Sequence, residues 1–123
     1  MCNVKDKYIF DFEKLKVYEL SLEFVRKIFR ISKELSRDYQ FSLGSQIRRA
    51  ALSVVNNIAE GSGKNSKKEK SQFYRISLSS ARECIPMLTL LSKEKLISES
   101  AANDLRESCI HICNMLGRLI AVL

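Results

Sequence analysis

NNIAEGSGKNSKKEK, residues 56–70, is the stretch whose punctuation decides how this chain folds. Before it, Ile47, Ala50, Ala51, Val54, Val55 and Ile58 recur at steps of three and four, which predicts an amphipathic helix from about Leu43 to Glu60. Gly61 then stands where a helix end calls for a residue in the left-handed region. Ser66-Lys67-Lys68-Glu69 matches the S-x-x-E capping box that opens a new helix. Two helices joined by a short turn follow, and short links between helices make antiparallel neighbours.

Working outward, Asp11 is a suitable N-cap for a first helix, with Phe10 and Leu15 placed as a hydrophobic staple. Leu15, Tyr18, Leu22, Val25 and Phe29 form one apolar stripe. Val17, Leu20, Phe24, Ile28, Ile31 and Leu35 form a second, more apolar surface than one side of a lone bundle needs. Arg37–Ser42 reads as a polar loop. The third helix carries Phe73, Ile76, Ser77, Ser80, Cys84, Met87, Leu88 and Leu91. Pro86 lies inside it, where a kink or a locally broken turn is expected rather than an end. After a link over Lys93–Ser98, Leu105, Cys109, Ile112, Leu116, Leu119 and Leu123 make a regular packing seam. The predicted fold is all-α: an antiparallel up-down-up-down four-helix bundle over residues 11–123, after an N-terminal extension of residues 1–10.

The single proline and four glycines in 123 residues suit such long helices. No apolar run reaches the ~20 residues of a membrane span, and the N-terminus lacks a secretory h-region. A cytoplasmic protein with no membrane partner is expected. Cys2, Cys84, Cys109 and Cys113 are then reduced thiols, serving as small apolar residues rather than disulfides. Cys109 and Cys113 share a helix face, but only Cys84 could add a third metal ligand, so no metal and no cofactor is expected. His111 is the only histidine. No nucleophile–base pair, phosphate loop or paired E-x-x-H motif accompanies it, and no enzymatic activity is predicted.

The net charge of +7 suggests an anionic partner. Lys64, Lys67, Lys68, Lys70 and Arg75 face one acid, Glu69, over residues 64–75. With Arg48 and Arg49 they are candidates for one basic patch that holds RNA or DNA by its phosphates; Tyr74 is a candidate for stacking on a base. The alternative is a structural or protein-interaction scaffold whose charge keeps it in solution. Gln46, Arg49, Ser53, Asn57 and Glu60 form a polar line on the second helix, suited to contacts between helices or subunits.

The run QIRRAALSVVNNIAEGSGKNSKKE, residues 46–69, resembles the four-helix-bundle proteins encoded in intervening sequences of bacterial 23S rRNA genes. The matching elements are Gln46-Ile47-Arg48-Arg49-Ala50, then Asn57-Ile58-Ala59-Glu60-Gly61, then Ser66, Lys68 and Glu69. FEKLKVYELS (residues 12–21) and SLSSARE (residues 77–83) extend the likeness over nearly the whole chain. The resemblance implies a ring-shaped homopentamer with no associated enzymatic activity. It also implies roles in the motif and in assembly for Gln46, Arg49, Asn57, Glu60 and Gly61. More distantly, the chain looks like the accessory proteins of diversity-generating retroelements, which bind nucleic acid and a protein partner. Pro86, and the lack of a proline in residues 37–41, depart from the pattern.

Overall fold

In the computed structural model, residues 15–123 are described, and they form four long helices and one short one, with no strand among them. These are α1 (Lys16–Lys33), α2 (Arg37–Gln40), α3 (Leu43–Ser62), α4 (Lys67–Lys93) and α5 (Glu99–Ala121). The expected Asp11 cap and Phe10 lie outside the described residues. Leu15 is extended at φ −72° and ψ 129°, so α1 begins at Lys16.

Of the two stripes on α1, the second supplies most of the core: its Val17, Phe24, Ile28 and Leu35 are buried, joined by Val25 of the first. The first faces partly outward, leaving Leu22 42% and Phe29 37% exposed. Ile47, Val54 and Ile58 of α3 meet Leu88 and Leu91 of α4 and Leu105, Ile112 and Leu116 of α5 in one hydrophobic core. Side chains near 2% exposure or below, such as Phe24, Ile28 and Leu116, each contribute roughly 1.5–3 kcal/mol by leaving water. Helices α1, α3, α4 and α5 pack in a closed cycle, α3 on α4, α4 on α5, and α1 on both α3 and α5. The result is a four-helix bundle.

Small residues let α3 and α4 approach closely enough for side chains to bond backbone across the seam. The Ser77 hydroxyl donates to the Val54 carbonyl at 2.7 Å, and the Ser53 and Ser80 hydroxyls meet at 2.7 Å. On the α4–α5 seam the Cys109 thiol donates to the Ala81 carbonyl at 2.9 Å, and Arg106 donates to the Thr89 hydroxyl at 2.6 Å.

Three expectations change. Residues 37–40 are a helical turn, not an irregular loop, because Gln40 and Arg48 bind it to its neighbours. The Gln40 amide donates to the Ser32, Lys33 and Leu35 carbonyls at 2.7, 3.0 and 2.8 Å, tying the turn to carbonyls at and just beyond the end of α1, where intrahelical donors run out. Gly61 is not a left-handed cap. It lies inside α3, which runs on to Ser62, and no described glycine has positive φ. The left-handed residue is Lys95, at φ 60°. There Leu96 N–H bonds the Leu91 carbonyl at 2.9 Å and Lys95 N–H bonds that of Ser92 at 3.0 Å, a Schellman closure of α4. At Pro86, finally, α4 continues, as expected, but the locally broken turn is absent and the helix runs on to Lys93. Pro86 is exposed, so the Arg82 carbonyl it leaves without a helical donor faces the solvent side.

Candidate nucleic-acid interface

The turn between α3 and α4 is built from local chemistry. The Ser66 hydroxyl accepts from the Glu69 N–H at 3.1 Å, the N-cap half of the expected capping box, and donates to the Glu69 carboxylate at 3.1 Å, so the Glu69 side chain closes on the Ser66 hydroxyl rather than on its backbone N–H. Gly61 sits under the Tyr74 ring: a Cβ there would lie 2.8 Å from Tyr74 Cε1 and 3.1 Å from Phe73 Cβ. Its missing side chain is what lets α4 close over the end of α3. Tyr74 is consequently buried, 3% exposed, with its hydroxyl 3.0 Å from that of Ser62. It is a packing residue and offers no face to a base.

The candidate cations divide by what already holds them. Lys70 Nζ donates to the Ser62 carbonyl at 3.0 Å and reaches that of Gly61 at 3.5 Å, neutralising the negative end of α3. Lys64 pairs with Glu60 at 3.7 Å and lies 5.1 Å over the Phe73 ring. Lys67 and Lys68 are exposed, with no polar partner among the described residues. Arg75 is exposed as well, and its Nε donates only to the Ser71 hydroxyl, at 3.1 Å.

Arg48 and Arg49 do not join this group. Both lie near the start of α3, about 20 Å of helix away from the turn. The Arg48 guanidinium donates to the Gln40 carbonyl at 2.8 Å, the Gln40 side chain at 3.3 Å and the Ser32 hydroxyl at 3.1 Å. Arg48 is thus a clamp between α1, α2 and α3. Arg49 borders a shallow groove of about 480 Å³ with Gln46, Ser53, Ser80, Glu83 and Met87. The single patch expected from the sequence is therefore a smaller cluster at the start of α4. Arg82, exposed two turns beyond Arg75, was not among the expected residues. The repeated seven-residue spacing, from Lys68 to Arg75 and from Arg75 to Arg82, was the available signal.

The polar line on α3 is partly tied down. Asn57 donates to the Ser53 carbonyl at 2.8 Å and to its hydroxyl at 3.1 Å, one turn back, and Ser53 carries the link to Ser80 on α4. Gln46 and Glu60 are exposed.

The three described cysteines are free thiols, Cys84 and Cys109 buried and Cys113 half-buried. Contact with Cys113 pulls the Cys109 pKa down, but contact with Cys84 and burial outweigh it and push Cys109 up to about 12. Contact with Cys109, together with burial, raises that of Cys113. Thiols held in the protonated form are poor nucleophiles and poor metal ligands. No group of three ligating side chains suited to a metal occurs among the described residues, and His111 is exposed. No helix among them is long and apolar enough to cross a membrane.

Residues 13–118 match the family model of the 23S rRNA-intervening sequence protein. A crystal structure of a protein of unknown function from the S23 ribosomal protein family of Bacteroides thetaiotaomicron is 27% identical. The match covers 85% of this chain and 97% of that one, with a TM-score of 0.80. Comparison with curated proteins finds no match. By the extent of the family match, carried on the bundle just described, the chain belongs to the 23S rRNA-intervening sequence protein family.

Proposed function

We propose that this protein is a non-enzymatic oligomeric bundle of the cytoplasm that binds RNA or DNA, without sequence preference, through exposed basic side chains at the start of α4. The observation that carries the reading is the state of Lys67, Lys68 and Arg75: exposed, within the first turns of one helix and without an ion-pair partner among the described residues. Cations held this way are free to replace the counterions of a phosphate backbone. Lysines at a helix N-terminus also oppose the helix dipole, a small cost that an anionic ligand would offset.

An antiparallel, up-down-up-down order within each subunit is supported by the contacts along the seams. Ser53 meets Ser80, Val54 meets Ser77 and Ser62 meets Tyr74, so partners descend α4 as they climb α3. Assembly into a homopentamer is supported by the outward apolar residues Leu22, Phe29, Leu52, Ile76, Leu90 and Ile110. The same residues favour the second reading, a protein-interaction scaffold that needs no nucleic acid.

Titration with RNA and with duplex DNA at two salt concentrations tests the proposal. Binding that weakens steeply with salt is expected, and charge reversal at Lys67 and Lys68 should weaken it further. Absence of binding to either nucleic acid at low salt would leave the scaffold reading.

A further inference from the structure

The outer face of α4 carries a second regularity. Lys68, Gln72, Arg75, Ser79 and Arg82 are all exposed and follow one another at steps of four, three, four and three. Side chains at that spacing line one face of a helix. Each of these five can donate a hydrogen bond to a phosphate oxygen, and none is a carboxylate. The acids in α4 are Glu69, bonded to its Ser66 cap, and Glu83, which stands about 100° around the helix from Arg82, borders the α3 groove with Arg49 and flanks the stripe beside Arg75, Ser79 and Arg82 without an ion pair to them. No ion pair engages Lys68, Arg75 or Arg82 among the described residues. The three cations are about 10 Å apart and span about 21 Å along a straight rod.

Resting on the nucleic-acid reading above, we infer that the ligand is a duplex, gripped by its phosphate backbone along this stripe from Lys68 to Arg82. The choice of a duplex follows from what the stripe lacks. Proteins that hold single strands combine cations with aromatic side chains on which bases stack. Here Phe73 is half-buried beneath Lys64 and Tyr74 is buried, so neither belongs to the stripe. A rigid, evenly spaced row of donors instead matches a rigid, evenly charged backbone, which in duplex DNA presents one charge per about 1.7 Å of axis. Gln72 and Ser79 between the cations position the backbone without reading its sequence.

The salt dependence of binding measures the footprint. With Lys67 beside the stripe as a fourth contact, four phosphates neutralised per subunit give a log–log slope of about −3.6, or about a 150-fold loss of affinity between 50 and 200 mM salt. The double variant Arg75→Gln, Arg82→Gln leaves Lys67 and Lys68, so the slope should fall to about one-half. That ratio is unchanged if several subunits of an oligomer engage the same duplex. A matched control, Lys33→Gln with Arg37→Gln, removes the same charge from exposed positions on α1 and α2. Its slope should stay near that of the unaltered protein. Measured on the full chain with a duplex of about 20 base pairs and with a single strand of equal length, the duplex should bind more tightly.

An unchanged slope in the Arg75, Arg82 variant, with binding intact in the unaltered protein, would overturn the stripe and spare the nucleic-acid reading. So would an equal fall in the control. Equal affinity for the single strand would overturn the assignment to a duplex. If the unaltered protein binds no nucleic acid at low salt, the reading underneath fails and the stripe goes with it.

Discussion

Gly61 illustrates how a residue's place in the chain and its physical role can part company. After a run of helical residues a glycine invites reading as a cap, because glycine alone enters the left-handed region without a steric cost. In the folded chain its φ is negative, and what counts is the absent Cβ, which leaves room for the Tyr74 ring. Gly61→Ala should therefore destabilise the protein by about 1–3 kcal/mol, as overpacking in a tight contact does, despite alanine's better helix propensity. Chemical denaturation of the two proteins measures it; equal or greater stability in the variant would show that α4 yields without strain. Tyr74 follows the same logic in reverse. As a tyrosine beside lysines it looks available for stacking, yet burial against Gly61 commits it to the core.

Among the elements, α4 carries the most information. Its start was legible because a capping box is a local device: Ser66 and Glu69 need only each other and the intervening backbone. Its continuation through Pro86 was legible from the apolar pattern on either side. Its closure was not, since Lys95 has no sequence signature of a left-handed residue. A lysine there pays a steric cost that a glycine avoids. Lys95→Gly should raise stability by about 1 kcal/mol, read as an increase in the denaturation midpoint. A lowered midpoint would mean that the Lys95 side chain makes a contact worth more than the strain. The short helix α2 was missed for a related reason: its order comes from bonds to distant residues, Gln40 reaching Ser32 eight residues back and Arg48 reaching Gln40 and Ser32 eight and sixteen residues back, rather than from the pattern of its own four residues.

For the whole molecule, the double stripe on α1 raises the question of what covers Leu22 and Phe29. Within one subunit they remain over a third exposed, seven residues apart on one face of the helix. If they are subunit contacts, Leu22→Glu with Phe29→Glu should reduce the mass in solution to that of the 14.1 kDa chain while helical content is retained. Light scattering and circular dichroism report the two quantities. An unchanged oligomer would move the contact to another face, and a monomeric unaltered protein would remove the case for assembly. The charge of the molecule is likewise more sorted than its total suggests. Several of its cations are occupied by internal carbonyls, carboxylates and amides, while those on the outer face of α4 are free.

What the sequence by itself determined are the features set by neighbours within a turn or two: four long helices with their apolar faces, the Ser66 cap, and the family motif over residues 46–69. Helical periodicity and capping involve residues three or four apart, so they can be read directly from the order of the chain. Only the tertiary structure decided which of the basic and aromatic side chains are free. Arg48, Lys70 and Tyr74 are held by groups on other helices or across the turn, and nothing in their immediate sequence says so. The stretch from Asn56 to Lys70 contains both kinds of information. Its helix end and helix start are local, whereas the use of Gly61, Lys64 and Lys70 depends on how closely α4 settles on α3.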